Sequence, residues 1–185
     1  TAELSDAYAT KRKGIEHVLS SVEEVFPSTQ IYVLDLNGRL LSPVRAKREP
    51  LRVGGANWVA TAYILGKKMP DCILVDTGTT TTDIIPIVDG KIKAMGRTDI
   101  ERLISGELVY TGALRTNVAA IVKRISVKNA LPSISSEYFS ISGDINLILR
   151  KIHAKEYTCE TPDGRGKTTT EAMARLARVV CADTE

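Results

Sequence analysis

The stretch CILVDTGTTTTDIIPIVDGKIKA, residues 72–94, constrains the fold of this chain more than any other. A run of β-favouring residues reaches Asp76, and a second apolar run begins at Asp83. One glycine and five threonines lie between them, which leaves room only for a tight turn. The stretch therefore predicts two adjacent strands, with a second hairpin turn at Asp89-Gly90. A turn does not need so many hydroxyl groups, which raises the question of what ligand they hold.

The rest of the chain alternates between helical and extended patterns, which predicts a mixed α/β fold. A hairpin is predicted over 30–44 with Asn37-Gly38 as its turn, a strand over 106–112, and a loop over 45–55. The run at 71–76 is apolar without alternation, which predicts a central strand buried on both faces. Helices are predicted over 10–25, 56–68 with Gly66 as its C-cap, 99–105, 143–152 and 170–182, with a loop or short helix over 115–126. Capping boxes are predicted at the starts of two of these helices, formed by Thr98 with Glu101 and by Thr168 with Glu171. Pro86 predicts that part of the strand after Asp83 is an edge or a bulge.

Composition and charge exclude several functional classes. Hydrophobic residues make up 43% and charged residues 25% of the 185 residues, and the net charge of +3 comes from scattered basic residues. We therefore expect no nucleic-acid partner. No apolar run approaches the ~20 residues of a membrane span, and no signal peptide is recognisable. The three cysteines, Cys72, Cys159 and Cys181, are far apart and odd in number, which predicts free thiols and a cytoplasmic location.

The turn after Asp76 has the chemistry of a phosphate site. Consecutive backbone N–H groups in a turn can form an anion-binding concavity, threonine hydroxyls add donors, and Gly78 opens the main chain to a ligand. Carboxylates beside an anion repel it unless a cation lies between, so Asp76 and Asp83 imply Mg²⁺. A plain hairpin with outward-facing threonines fits the same residues equally well, and the residues alone leave both interpretations open.

A resemblance favours the functional interpretation. The motif DTGTTTTDI resembles the second phosphate-binding motif of the acetate and sugar kinase/Hsc70/actin superfamily, in the form found in its hydantoinase-A/oxoprolinase branch. The whole chain is similar to a narrower family of tetrahydromethanopterin-linked C1-transfer and methanofuran-biosynthesis proteins. This similarity rests on TAELSDAYATKRKGIEHVL, ANWVATA, GELVYTGALRTNV, SGDINLIL and YTCETPDGRGKTTTEAMARLARVVCAD.

The resemblance implies an actin-like (ribonuclease H-like) two-lobed α/β fold with mixed sheets. Residues 1–70 would be the remainder of the first lobe and residues 71–185 the start of the second. The family's first phosphate motif, of the form DIGGANTK, is expected upstream of this chain, and its glycine-rich nucleotide motif downstream. RVGGANW at 52–58 echoes the first motif but lacks an acidic strand end before its glycines. We therefore expect a fragment that holds half a site and is inactive alone.

The resemblance also implies a reaction. An aminomethylfuran-methanol diphosphate would be joined to γ-glutamyltyramine with release of pyrophosphate and without ATP. Asp76 would hold Mg²⁺ and act with Asp83 in catalysis, Asp83 being one candidate for the general base and Glu107 a weaker one. The diphosphate would be bound by residues of the threonine-rich turn, namely Thr77, Gly78, Thr79, Thr80 and Thr81.

Arg115 is a candidate for binding the glutamyl carboxylate, although a surface arginine beside a core Tyr110 explains the same pattern. Two other functions use the same residues. One is an ATP-dependent kinase or hydantoinase/oxoprolinase-like hydrolase, and the other is a non-catalytic actin-like nucleotide-binding module. Whether the protein forms a homo-oligomer is left open by the sequence.

Overall fold

The structure is a computed structural model that describes residues 7–184. The polypeptide divides into two compact units, and its path passes between them three times. The first unit contains the described residues through Val75 together with Asp83–Leu108. The second unit contains Asp76–Thr82 and the residues from Val109 onward. The predicted division at residue 70 into actin-like lobes stays a prediction.

The first unit begins with the predicted helix α1, Lys11–Val25, whose N-cap Thr10 accepts a hydrogen bond from the Lys13 N–H. The predicted hairpin follows as β1, Val33–Leu34, antiparallel to β2, Leu40–Leu41. Gly38 in its turn has a φ of 76°, which explains the Asn-Gly signal. Both elements are therefore confirmed.

The loop prediction for residues 45–55 is wrong in its first half. Helix α2, Pro43–Arg48, is followed by a 3₁₀ turn, Pro50–Arg52. The Ser42 side chain caps α2 by accepting a hydrogen bond from the Arg45 N–H, and Pro43 occupies the first helical turn, where its missing N–H costs nothing. Polar composition concealed this helix, since only Ala46 is buried.

Helix α3, Asn57–Lys68, packs its buried face against a sheet formed by β3, Cys72–Thr77, β4, Thr82–Val88, β5, Lys91–Ile92, and β6, Leu108–Val109. The strand order is β3-β4-β5, with β6 also paired to β4. The core between helix and strands consists of Trp58, Val59, Ala62, Ile85, Ile87 and Ala94. Helix α4, Asp99–Ser105, has the predicted capping box of Thr98 and Glu101.

Three predictions for this region are corrected by the structure. Strand β3 lies at the edge of its sheet, and its Ile73 and Val75 are 67% and 58% exposed, so it is not buried on both faces. Pro86 lies in β4, which pairs with β3, β5 and β6, so the edge alternative predicted for Pro86 is wrong. Gly66 lies inside α3, whose C-cap is Met69. Glycine is required at this position because a Cβ would come within 2.8 Å of the Gly90 carbonyl oxygen.

The second unit contains the three remaining helices, α5, Val118–Ile121, α6, Ser142–Ile148, and α7, Thr169–Arg178, with a 3₁₀ turn at Ala154–Glu156. Its core is Ile141, Leu147, Tyr157 and Ala172. Fully buried Asp144 accepts hydrogen bonds from Arg175 and from the Tyr157 hydroxyl, which ties α6 to α7. The predicted capping box of Thr168 and Glu171 opens α7.

The three cysteines are free, as predicted. Across residues 7–184, no helix is both long enough and apolar enough to cross a membrane.

Candidate functional site

The threonine-rich turn, here called the threonine loop (residues 77–82), joins β3 to β4. The loop itself belongs to the second unit, although most of both strands belongs to the first. It closes through a hydrogen bond of 2.8 Å from the Gly78 N–H to the Thr81 carbonyl oxygen. The Thr79 and Thr80 hydroxyl oxygens lie 3.4 Å apart, and Thr79 is exposed. The predicted hairpin is thus confirmed, with two hydroxyl groups presented side by side on its tip.

A second segment of the same unit, here called the brace segment (residues 111–116), binds the carbonyl edge of the loop. The Ala113 N–H donates to the Gly78 carbonyl oxygen at 2.9 Å. The N–H groups of Leu114 and Arg115 both donate to the Thr79 carbonyl oxygen, at 3.1 and 2.8 Å. The brace segment therefore occupies the two carbonyl groups of the loop that would otherwise repel an anion.

This pairing fixes the direction of two backbone amides. In a planar trans peptide the C=O and N–H bonds point to opposite sides. Since the carbonyls of Gly78 and Thr79 face the brace segment, the N–H groups of Thr79 and Thr80 point away from it. Among residues 7–184 neither amide has a hydrogen-bond acceptor. Two adjacent unpaired N–H groups flanked by hydroxyls form the kind of concavity that binds phosphate oxygens.

Asp76 precedes the threonine loop, and its side chain is exposed. Within the described part of the chain the Asp76 carboxylate has no ion-pair partner and no hydrogen bond. No group of three or more His, Cys, Asp or Glu side chains among these residues could hold a metal ion. One free carboxylate is too little for an all-protein metal cage. It fits Mg²⁺, which is commonly bound by one or two carboxylates together with substrate phosphates and water.

Asp83 belongs to the first unit, and its carboxylate already forms an ion pair. It shares the face of β4 with the buried residues Ile85 and Ile87, because side chains two apart in a strand point the same way. Its Oδ1 accepts a hydrogen bond of 2.8 Å from Arg102, which is 1% exposed. This position makes Asp83 the counter-ion of a buried arginine, whatever further role it has.

The carboxylate of Glu107 also already has hydrogen-bond partners. Its carboxylate accepts hydrogen bonds from the N–H groups of Met95 and Gly96 and from the Ser105 hydroxyl, at 2.7 to 2.9 Å. Burial favours the neutral acid, but these donors and the charge of Arg102 outweigh it and hold the pKa of Glu107 below its ordinary value. A carboxylate so stabilised is a weak proton acceptor, which disfavours it as a general base.

Arg115 lies beside the threonine loop through its backbone, while its side chain is exposed. Burial raises the pKa of the Tyr138 phenol, as do Cys159 and Asp144, and the positive charge of Arg115 opposes that shift. The charge of the Arg115 guanidinium group therefore reaches the Tyr138 hydroxyl, and both residues belong to the same unit as the loop. Its predicted contact with a substrate carboxylate stays a prediction.

The sequence pointed to Gly78 as the glycine that the site requires, but in the structure Gly112 makes a much closer contact with the threonine loop. Gly78 has no positive φ, and a Cβ there would meet only the Thr81 carbonyl oxygen, at 3.5 Å. A Cβ on Gly112 would lie 2.5 Å from the Thr80 nitrogen and 2.6 Å from the Thr79 carbonyl. The Thr-Gly pair at the end of the predicted strand 106–112 was the available signal, but nothing in the sequence shows that this strand ends against the threonine loop.

Comparisons with known proteins identify the family of the chain. The sequence profile of the hydantoinase/oxoprolinase family matches residues 1–185. The chain is 48% identical over 186 residues to the (4-{4-[2-(gamma-L-glutamylamino)ethyl]phenoxymethyl}furan-2-yl)methanamine synthase of Methanocaldococcus jannaschii, a match that covers 100% of this chain and 56% of that protein. It is 50% identical over 113 residues to the synthase of the same name from Methanococcus vannielii, covering 61% of this chain and 50% of that protein. The chain thus spans about half the length of these curated relatives.

Proposed function

The chain belongs to the hydantoinase/oxoprolinase family, and from this premise we propose that it contains the diphosphate-binding loop of a furanylmethyl transferase. The reaction would join an aminomethylfuran-methanol diphosphate to the phenol of γ-glutamyltyramine and release pyrophosphate. Two observations support it. The relatives are named for a synthase whose product contains a phenoxymethyl-furan ether, and the threonine loop presents two unpaired amides.

The chemistry is a displacement at the furanylmethyl carbon. The bond from that carbon to the diphosphate oxygen breaks, and its electrons leave with the diphosphate. The bond from the carbon to the phenol oxygen forms, and the phenol proton passes to a base. Because the furan ring donates electrons, it stabilises positive charge on the carbon as the leaving group departs. The protein therefore has to stabilise the departing negative charge and hold the phenol in line.

The observation that carries the proposal is the outward direction of the Thr79 and Thr80 N–H groups. Their orientation is fixed before any ligand binds, since the brace segment occupies the opposite edge of both peptides. Preorganised donors of this kind stabilise developing charge without reorganisation, and the loss of one typically raises the barrier by ~2.7–4 kcal/mol. We assign Thr77, Gly78 and Thr81 to the same phosphate-binding turn.

Asp76 is proposed as the carboxylate that holds Mg²⁺, which would act when bound as a Lewis acid on the leaving diphosphate. Without a cation, Asp76 and a diphosphate repel each other, and the lower dielectric of an enclosed site strengthens that repulsion. Asp83 stays a candidate general base in the proposal, but its pairing with Arg102 gives it a competing structural role. Asp76 is therefore the better candidate for chemistry.

The finer fold assignment is also proposed. A threonine-rich hairpin at the end of a four-stranded sheet fits the second phosphate motif of an actin-like two-lobed fold, and the family match is compatible with it. In that fold the remaining phosphate motifs would come from sequence outside residues 1–185. The proposed activity is accordingly that of the full-length native protein.

The proposal is tested by calorimetry with pyrophosphate, with and without Mg²⁺, on the full-length native protein. Asp76→Asn preserves shape but removes the charge, so it should abolish Mg²⁺-dependent binding and leave the melting temperature unchanged. Asp89→Asn, at the other end of β4 in an exposed turn, is the matched control and should bind normally. Equal binding by wild type and Asp76→Asn would overturn the assignment.

A second candidate, an ATP-dependent hydrolase or kinase, is favoured by the family match alone. Product analysis separates the two. Formation of the ether with pyrophosphate and no ATP consumption supports the transferase, whereas ADP formation supports the ATP-dependent enzyme.

A further inference from the structure

We propose that Gly112 is the positioning residue of the threonine loop, and that the brace segment is what turns the loop into an anion site. This inference rests on the proposed function and extends it to a residue that never touches the ligand. The observation behind it is the contact of Gly112 with the peptide between Thr79 and Thr80. An added Cβ would lie 2.5 to 2.6 Å from three backbone atoms of that peptide.

Contacts this short cannot be relieved by rotating a side chain, because all three atoms belong to the backbone. Any residue larger than glycine would force the threonine loop and the brace segment apart. The peptide that would move is the one whose C=O faces Leu114 and Arg115 and whose N–H points outward. Gly112 therefore controls the direction of the Thr80 amide.

The brace segment is itself held from behind by α6. The N–H groups of Ser142 and Gly143 donate to the carbonyl oxygens of Thr116 and Leu114, at 2.8 and 3.0 Å. The Ser142 hydroxyl donates to the Gly112 carbonyl oxygen at 2.8 Å, and the Asn146 amide donates to the Ala113 carbonyl oxygen at 2.7 Å. With α6 fixed behind it, the segment cannot retreat, so strain from a larger residue falls on the exposed loop.

Thr116 completes the arrangement inside the brace segment. Its side chain is buried, and its hydroxyl oxygen accepts a hydrogen bond of 2.7 Å from the Gly112 N–H. Thr116 thereby sets the position of Gly112 relative to α6. Thr116→Val would keep the shape and remove this hydrogen bond, so it tests the same brace without adding an atom against the loop.

The decisive experiment compares Gly112→Ala, Thr116→Val and a control, Gly164→Ala, in the full-length native protein. Gly164 has a φ of 68° and open space around its Cα, so the control adds backbone strain in the same unit without touching the loop. Mg²⁺-dependent pyrophosphate affinity is measured by calorimetry, and the melting temperature is recorded for each variant.

We expect Gly112→Ala to weaken pyrophosphate binding by roughly 10- to 100-fold, which corresponds to one hydrogen bond to a charged group. Thr116→Val should weaken it less, and Gly164→Ala should retain wild-type affinity even where its melting temperature falls. A purely structural role for Gly112 would lower the melting temperature but leave the affinity of the folded protein unchanged, and that result would overturn the inference.

The controls separate this inference from the proposed function. If wild type binds no Mg²⁺-pyrophosphate, the proposed function fails. If wild type and Gly112→Ala bind equally well, the function stands and the positioning role is refuted. If Gly112→Ala does not fold, Thr116→Val decides: wild-type affinity in that variant refutes the brace, and weakened affinity at full folding supports it.

Discussion

The two aspartates that flank the threonine loop should respond in opposite ways to the same substitution. Asp83 is 15% exposed and pairs with Arg102, which is 1% exposed. Arg102 also donates to the Glu107 carbonyl oxygen at 2.9 Å and lies 4.2 Å from the centre of the Trp58 ring. Asp83→Asn removes the only carboxylate paired with this buried cation among the described residues, and we expect it to destabilise the first unit.

The magnitude follows from the geometry. Breaking a buried ion pair by removing one partner costs about 3–5 kcal/mol. Asp83 retains some exposure, and asparagine can still accept the hydrogen bond, so the expected cost is at the lower end, about 3 kcal/mol. For a chain of this size, about 2–4 °C is lost per kcal/mol, which gives a fall in melting temperature of roughly 6–12 °C.

The assay is thermal and urea denaturation of Asp83→Asn and Asp76→Asn, alongside turnover of each variant. Asp76→Asn should melt like wild type, because its exposed side chain has no partner to lose among the described residues. An unchanged melting temperature for Asp83→Asn together with lost turnover would refute this reasoning. It would show that Asp83 acts in the chemistry and that its bond to Arg102 contributes little.

Two further outcomes are expected. Because the folded-state pKa of Glu107 lies below its ordinary value of 4.5, its contribution to stability should be present above that pH and be lost as the pH falls through the folded pKa. Glu107→Gln should therefore be less stable at neutral pH and converge with wild type in acid, and a difference in unfolding free energy between the two proteins, measured by urea denaturation, that does not narrow as the pH falls below 4.5 would contradict this. Asp144→Asn leaves the fully buried Arg175 with Asp163 as its one remaining carboxylate partner among the described residues, so it should cost about 3 kcal/mol in urea denaturation, the lower end of the range for a broken buried pair, with a loss under about 1 kcal/mol contradicting it.

Local sequence signals predicted the elements whose stability is local. Thr98 with Glu101 and Thr168 with Glu171 form capping boxes that satisfy helix N-termini from within the same turn, and both appear in the structure. Asn37-Gly38 likewise fixes a hairpin through the left-handed backbone conformation of Gly38. Such signals need no distant partner, which is why they can be read from a single chain.

The predictions that were wrong concern features that depend on contacts between residues far apart in the sequence. The apolar run of β3 did not reveal that one of its faces is exposed, since a run of hydrophobic residues carries no information on how many layers cover it. Glycine is the residue type expected at a helix C-cap, but Gly66 is needed inside α3 because Gly90, 24 residues later in the sequence, packs closely against it. Contacts between distant positions decided both cases.

In the candidate site, too, the sequence predicted the local features, and the tertiary structure decided those that depend on distant contacts. The sequence by itself determined that a carboxylate, a glycine and a row of threonines stand in one tight turn, because these depend on residue order and on the period of a strand. Only the tertiary structure decided which way the amides of that turn point and which carboxylate is free. The direction of the Thr79 and Thr80 amides depends on hydrogen bonds from residues more than thirty positions away. The occupation of Asp83 depends on Arg102 in another helix, and such distant pairings arise only when the chain packs.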